Sequence, residues 1–217
     1  KKRNKYLITN NSRITNKSLE LGENICKNIC TSEQICSNKN KRFVSTSNQS
    51  NQIILMLGNQ TCPISSHDYL PLKILESYLS YGMSSALFKL FREKNGLTYD
   101  VGVYNPTRKQ NSPFLIYLSV SNKNAFLAFE ILSEFWQKLL SFPINDQDIY
   151  LAKIKFKSSF LISNQTLDGI LQRKIKLIGY NFDPDFNFLS KIEYINSNDL
   201  MKVAKKYLTD PFLSIYG

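Results

Sequence analysis

The constraint that bears hardest on this chain is a repeated change of apolar period after residue 42. Leu97–Tyr104 and Phe114–Ser121 alternate apolar and polar residues, the two-residue period of a strand with one buried face. The Asn105–Pro113 segment between them holds two prolines and fits a hairpin connection. Phe43–Ser47 and Gln52–Leu57 read as two further strands, and the polar stretch Asn48–Asn51 predicts a hairpin between them. Phe212–Tyr216 reads as a terminal strand.

Between these strands the apolar residues recur every three or four positions. After Pro63, Ser65 and Ser66 can cap a helix whose apolar side is Leu70, Leu72, Ile74, Leu75, Tyr78 and Leu79. Gly82 breaks it. Ser84-Ser85 opens a second helix carrying Leu87, Phe88, Leu90 and Phe91, and Asn95-Gly96 closes that helix with a left-handed cap. Met83, Leu87, Phe88 and Phe91 are expected in the core on this spacing. Asn124–Leu140 is a long amphipathic helix ended by Pro143. Asp146–Ser163, Thr166–Gly179 and Ser197–Leu208 are three more. Strands and helices in this order predict an α+β fold: an antiparallel sheet packed on one face by helices, a two-layer sandwich.

The charge of +11 on 217 residues suggests a polyanion partner until its location is read. Residues 1–42 hold ten Lys or Arg and three Glu, whereas residues 43–217 hold eighteen and fourteen acids. The excess therefore lies in an Asn-, Lys- and Ser-rich stretch of weak periodicity, read as a basic polar leader or linker before a domain at 43–217. A short helix over Ser18–Cys30 is one reading within it. A nucleic-acid module would place basic and aromatic residues together on strands; this chain does not, so no nucleic-acid partner is expected. No run of about eighteen apolar residues predicts a membrane span.

Cys26, Cys30, Cys36 and Cys62 match no zinc-knuckle spacing. Free thiols in a reducing compartment, hence a cytoplasmic protein, is the favoured reading, with a disulfide as the alternative. His67 is the single histidine and reads as a surface residue near a helix start. Carboxylates are scattered, and no complete catalytic set is visible. No metal site and no cofactor are expected in this chain.

The most informative stretch runs Tyr81-Gly82-Met83-Ser84-Ser85-Ala86-Leu87-Phe88, then Arg92-Glu93-Lys94-Asn95-Gly96-Leu97-Thr98-Tyr99. It resembles the Gly-Gly-Met-Ser-Ser-x-Leu-Phe…Arg-Glu-x-x-Gly-Leu-x-Tyr signature in the C-terminal half of the insulinase/pitrilysin-like metallopeptidases, the inverted zincins. Tyr81 stands where a Gly is usual. Gln52–Gly58, Asp148–Lys153 and Ile195–Leu208 are similar, in order, to that family's early strand, mid-domain helix and closing helix. The likeness covers about residues 43–217.

The resemblance implies a substrate-binding half without zinc. A catalytic half, fused upstream or a separate subunit, would supply zinc through His-x-x-Glu-His and close a chamber around a peptide substrate. By the same resemblance Arg92 and Tyr99, seven residues apart, bind the peptide and stabilise the tetrahedral intermediate. Read without it, Arg92 is a helix-end cation favoured by the dipole and Tyr99 a strand aromatic. Lys153, Lys155, Lys157, Arg173, Lys174 and Lys176 could line a chamber wall, although a solvated face is the favoured account. The competing reading is an inactive family member acting as a structural or interaction subunit, and a dimer is left open.

Overall fold

Strand β1 (Phe43–Thr46) and strand β2 (Gln52–Thr61) come first, followed by helix α1 (Tyr69–Ser80). Helix α2 joins an α-helical turn, Ala86–Phe88, to a π-helical turn, Lys89–Lys94. Strands β3 (Thr98–Tyr104) and β4 (Ser112–Ser121) form a hairpin. A 3-10 turn (Asn122–Asn124) leads into α3 (Ala125–Ser141). Helices α4 (Asp146–Ser163), α5 (Leu167–Gly179), α6 (Phe188–Ile192) and α7 (Ser197–Tyr207) precede β5 (Phe212–Tyr216). The computed structural model describes residues 43–46 and 51–217. The expectations for residues 1–42, including the leader, the Ser18–Cys30 helix and Cys26, Cys30 and Cys36, lie outside the described residues.

The sheet has the order β1-β5-β2-β4-β3. Strands β5, β2, β4 and β3 are antiparallel neighbours, and helices cover one face, so the chain has the expected α+β architecture. One expectation fails: β1 does not pair with β2. The last strand of the chain, β5, lies between them, parallel to β1 and antiparallel to β2. β1 and β2 therefore stand two inter-strand spacings apart, about 9–10 Å, and the link at residues 47–50 lies outside the described residues. Local pattern cannot reveal this pairing, because the intervening strand begins at Phe212, about 160 residues after β2 begins at Gln52.

The sheet buries one side of each central strand. Ile53, Leu55 and Leu57 of β2 and Phe114, Ile116, Leu118 and Val120 of β4 are buried, while their neighbours are half-buried. They pack on Leu72, Ile74, Leu75 and Leu79 of α1, Leu132 and Trp136 of α3, and Leu200 and Val203 of α7. Each fully buried side chain of this size contributes about 1.5–3 kcal/mol. The Trp136 indole N–H donates to the Leu208 carbonyl at 2.9 Å, tying α3 to the end of α7. Gly58 lets β2 and β4 approach: a Cβ there would lie 2.0 Å from the Phe114 carbonyl oxygen.

Helix α1 begins at Tyr69 rather than at the serines. The Ser66 hydroxyl accepts from the Asp68 N–H at 3.2 Å instead of capping the helix. Helix α4 packs outside α1, with Ile149 and Ala152 buried and the Ser77 hydroxyl donating to the Ala152 carbonyl at 2.8 Å. Helix α7 has a full capping box. The Asn196 side chain accepts from the backbone of Asp199, and the Asp199 carboxylate accepts from the Asn196 N–H. Replacing Asn196 with Ala should cost about 1 kcal/mol, the usual worth of such a cap. Urea denaturation of the 217-residue chain checks this, and an unchanged midpoint would show the cap to be idle.

Candidate functional site

The residues singled out by the motif meet at the junction of α2 and β3. Gly82 sits at φ +75°, in the left-handed region, and turns the chain from α1 towards α2. Ser85, buried and extended, precedes α2, its N–H donating to the Gly82 carbonyl at 3.1 Å. Leu87 and Phe91 are fully buried and anchor the helix. Two of the residues expected in the core depart from that expectation: Phe88 is half-buried and joins neither core cluster, and Met83 is 74% exposed. It lies in the turn before the first helical residue, so helical spacing does not govern it.

The second half of α2 is a π turn, a widening that recurs at functional positions. Arg92 lies in it, exposed to solvent, with its guanidinium over the Phe88 ring at 5.0 Å from the centroid. The helix then ends as the sequence predicts. Gly96 takes φ +61°; its N–H donates to the Arg92 carbonyl at 3.2 Å, and the Leu97 N–H to the Phe91 carbonyl at 2.8 Å. The Asn95 side chain donates to the Leu90 carbonyl at 2.8 Å, which closes the last turn.

Tyr99 is the extra residue of a β-bulge. Thr98 pairs with Val120 and Asp100 with Ser119, so Tyr99 has no opposite residue on β4. The buried Thr98 hydroxyl fixes this geometry. It reaches the Ser119 and Asp100 carbonyls and accepts from the Asp100 N–H at 3.1 Å. Bulges re-aim a side chain and are frequent beside active sites. The Tyr99 side chain itself lies outside the described residues. The backbone thus brings Arg92 and Tyr99 to one helix–strand junction, as expected.

Behind the junction lies a buried polar network that the sequence reading missed. Lys73 and Glu76, one helical turn apart on α1, are both buried and form an ion pair at 2.8 Å. The Lys73 ammonium also donates to the Asn105 carbonyl. The Asn105 side chain donates to the same Glu76 carboxylate oxygen at 3.1 Å, and the Tyr81 hydroxyl reaches that carboxylate too. Burial raises Glu76 above the usual carboxylate range, with Lys73 and the hydrogen bonds opposing it. Burial likewise raises the Tyr81 hydroxyl, helped by the Glu76 charge. Tyr69 bonds Thr107 at 2.7 Å on the same loop. Helix α1 therefore holds both the β3–β4 loop and the turn leading to α2. A Lys-x-x-Glu spacing inside an apolar helix side was the available signal.

The remaining candidates do not join this site. His67 is exposed just before α1. Cys62 is a buried free thiol, raised by burial. Among the described residues no three His, Cys, Asp or Glu side chains could hold a metal ion together, so those residues do not fit a zinc ion. No described helix is long and apolar enough to cross a membrane. Lys157 pairs with Glu193 and Lys174 with Asp185, while Arg173 donates to Asn164.

With the geometry in hand, comparison with known proteins is specific. The family described as the peptidase M16 inactive domain matches residues 15–156. An "uncharacterized zinc protease" of Rickettsia felis is 28% identical over 162 residues, which is 71% of this chain and 38% of that protein. A protease from Helicobacter pylori superposes with a TM-score of 0.70 at 19% identity, over 81% of this chain and 43% of that one. A peptidase M16 inactive domain from Pseudomonas fluorescens gives a TM-score of 0.66 at 19% identity, over 80% and 42%. The chain thus spans about two fifths of the length of these relatives.

Proposed function

Because the chain belongs to the peptidase M16 family, as its inactive domain, we propose that it is the substrate-binding half of a zinc metalloendopeptidase. Its partner is a catalytic half, in the same polypeptide or in a second subunit, and its substrate is a peptide held in a chamber between them. The observation that carries the reading is the α2–β3 junction. An exposed arginine on a π turn stands seven residues before a tyrosine that a bulge sets out of register.

The chemistry suits that role. Arg92 keeps its charge at any working pH and can donate to peptide carbonyls in a fixed fork. The Phe88 ring beneath it limits the directions the guanidinium samples. The Tyr99 hydroxyl can donate to the oxyanion that forms as water attacks the scissile carbonyl. Zinc in the catalytic half would activate that water. The open side of the sheet, with Met56 and Tyr117 half-buried and Tyr104 exposed, gives the peptide an apolar wall. A cytoplasmic location fits the free, buried Cys62 thiol.

Zinc analysis and a peptidase assay test this together. The 217-residue chain alone is expected to bind no stoichiometric zinc and to cleave nothing. The complete protein, carrying its catalytic half, is expected to hold about one zinc per pair of halves and to hydrolyse unfolded peptides until the metal is chelated. Stoichiometric zinc on the isolated chain, or a complete protein that cleaves no peptide with its zinc in place, would reject the reading.

A further inference from the structure

The β3–β4 ladder is broken at one place. From Val101 opposite Leu118 to Tyr104 opposite Leu115 the strands pair residue for residue. A regular ladder carried on past Asp100, which lies opposite Ser119, would set Tyr99 against Val120. Tyr99 would then share the side of the sheet with Val101 and Val103, which pack against the core, because sides alternate along a strand. The observed pairing gives that place to Thr98 instead. Tyr99 is left over, and its backbone leaves the ladder between two paired residues.

The Thr98 side chain holds this break. Thr98 is buried, and its hydroxyl works in both directions. It accepts from the Asp100 N–H at 3.1 Å, and its one proton faces the Asp100 carbonyl at 2.8 Å and the Ser119 carbonyl across the ladder. A threonine hydroxyl offers one donor and two acceptor sites, so this geometry uses both capacities. Two of the contacts skip Tyr99 along β3, and the third crosses to β4. The chain before Thr98 is fixed as well. Leu97 is buried, its N–H donates to the Phe91 carbonyl at 2.8 Å, and the Gly96 N–H donates to the Arg92 carbonyl at 3.2 Å. Tyr99 is therefore the one residue between the anchored end of α2 and the regular ladder.

We infer that Thr98 is a positioning residue: its hydroxyl holds Tyr99 out of the ladder, and so at a set place relative to Arg92, without touching substrate itself. The inference rests on the function proposed above and extends it by one residue. Valine has nearly the shape of threonine and no hydroxyl, so Thr98→Val removes all three contacts and lets the ladder close. Serine keeps the hydroxyl and loses only a methyl group. Misplacing a reacting group by about 1 Å can cost about 100-fold in rate, so a slipped bulge is read most directly in turnover.

Kinetics on the complete protein, with its zinc-binding half, test the inference through Thr98→Val, Thr98→Ala and Thr98→Ser alone, and through Thr98→Val combined with Tyr99→Phe. Thr98→Val and Thr98→Ala should lower kcat by about 10- to 100-fold while KM and zinc content stay near the parent's, and Thr98→Ser should keep most of the turnover. With Tyr99→Phe already present, Thr98→Val should cost no more than about threefold further, because residues that act as a unit are not additive. In the 217-residue chain, amide exchange at Asp100 should quicken in Thr98→Val and not in Thr98→Ser. An equal loss in Thr98→Ser, or a loss from Thr98→Val that is as large in the Tyr99→Phe background, overturns the inference and leaves Thr98 a packing residue. So does parental turnover in Thr98→Val when Tyr99→Phe is slow. Parental turnover in Tyr99→Phe itself rejects the role proposed for Tyr99, while the Asp100 exchange still decides whether Thr98 holds the bulge, so the two fail separately.

Discussion

In the complete peptidase, Tyr99→Phe is expected to lower kcat by about 100- to 1,000-fold, the usual loss when one oxyanion donor is removed. KM should move little, because the hydroxyl meets a charge that exists only after attack. Arg92→Ala should act differently. It removes a charged donor to the bound peptide, worth about 1.5–3 kcal/mol, and so should raise KM as well as lower kcat. Arg92→Lys should not rescue it, since an ammonium lacks the fork geometry. The fold should tolerate both changes. Arg92 is exposed, and its contact with the Phe88 ring is worth about 0.5–1 kcal/mol at such a site. Steady-state kinetics on both variants, with circular dichroism as the control, decides the matter. Turnover equal to the parent in both would remove these residues from the mechanism.

The junction that holds this pair was legible because its signals are local. The Asn95-Gly96 cap needs a residue that accepts positive φ, and Gly96 supplies it at +61°. Within β4 the Leu118-Ser119-Val120-Ser121 alternation agrees with the buried side seen in the fold, since a two-residue period fixes faces once one face is dry. What escaped depended on partners distant in sequence. The insertion of β5 between β1 and β2 is chosen by pairing along β2, which no window around Asn48 contains. The short helix α6 holds five residues, too few to show a period. The bulge at Tyr99 arises from the register of β4 and from the Thr98 hydroxyl. Nothing in a Thr-Tyr-Asp run announces it.

The polar network behind the site escaped for a related reason. Helical periodicity sorts residues by hydrophobicity, so Lys73 and Glu76 read as solvent-facing although they flank Ile74 and Leu75. Only the fold shows that the Asn105 side chain and backbone carbonyl complete their hydrogen bonds. Buried charges persist when they are paired and bonded in this way. The network also joins three segments that local structure leaves independent: α1, the turn at Tyr81 and the loop after β3. It thereby fixes where α2 begins, and so where Arg92 is presented.

That dependence predicts the largest loss of stability. Glu76→Ala should destabilise the 217-residue chain by about 3–5 kcal/mol, the cost of stranding one member of a buried ion pair. The Lys73 ammonium would keep its charge with the Asn105 carbonyl as its remaining hydrogen-bond acceptor, and the Asn105 amide would lose its own acceptor. The cost therefore comes from what is left behind more than from the contact removed. A double substitution separates these terms. Lys73→Met with Glu76→Leu removes both charges, fills the volume with apolar atoms, and should restore most of the stability lost in Glu76→Ala, because such replacements of buried pairs are often near neutral. The residual cost would be that of the buried Asn105 amide and carbonyl left unpaired, about 1–3 kcal/mol for each buried polar group. In the complete peptidase the double variant should fold yet present α2 less rigidly, lowering turnover while zinc content stays unchanged. Urea denaturation midpoints measured on the single and double variants carry the test. If the double variant proves as unstable as Glu76→Ala alone, the stranded charge is not the cause, and the network acts through its shape instead.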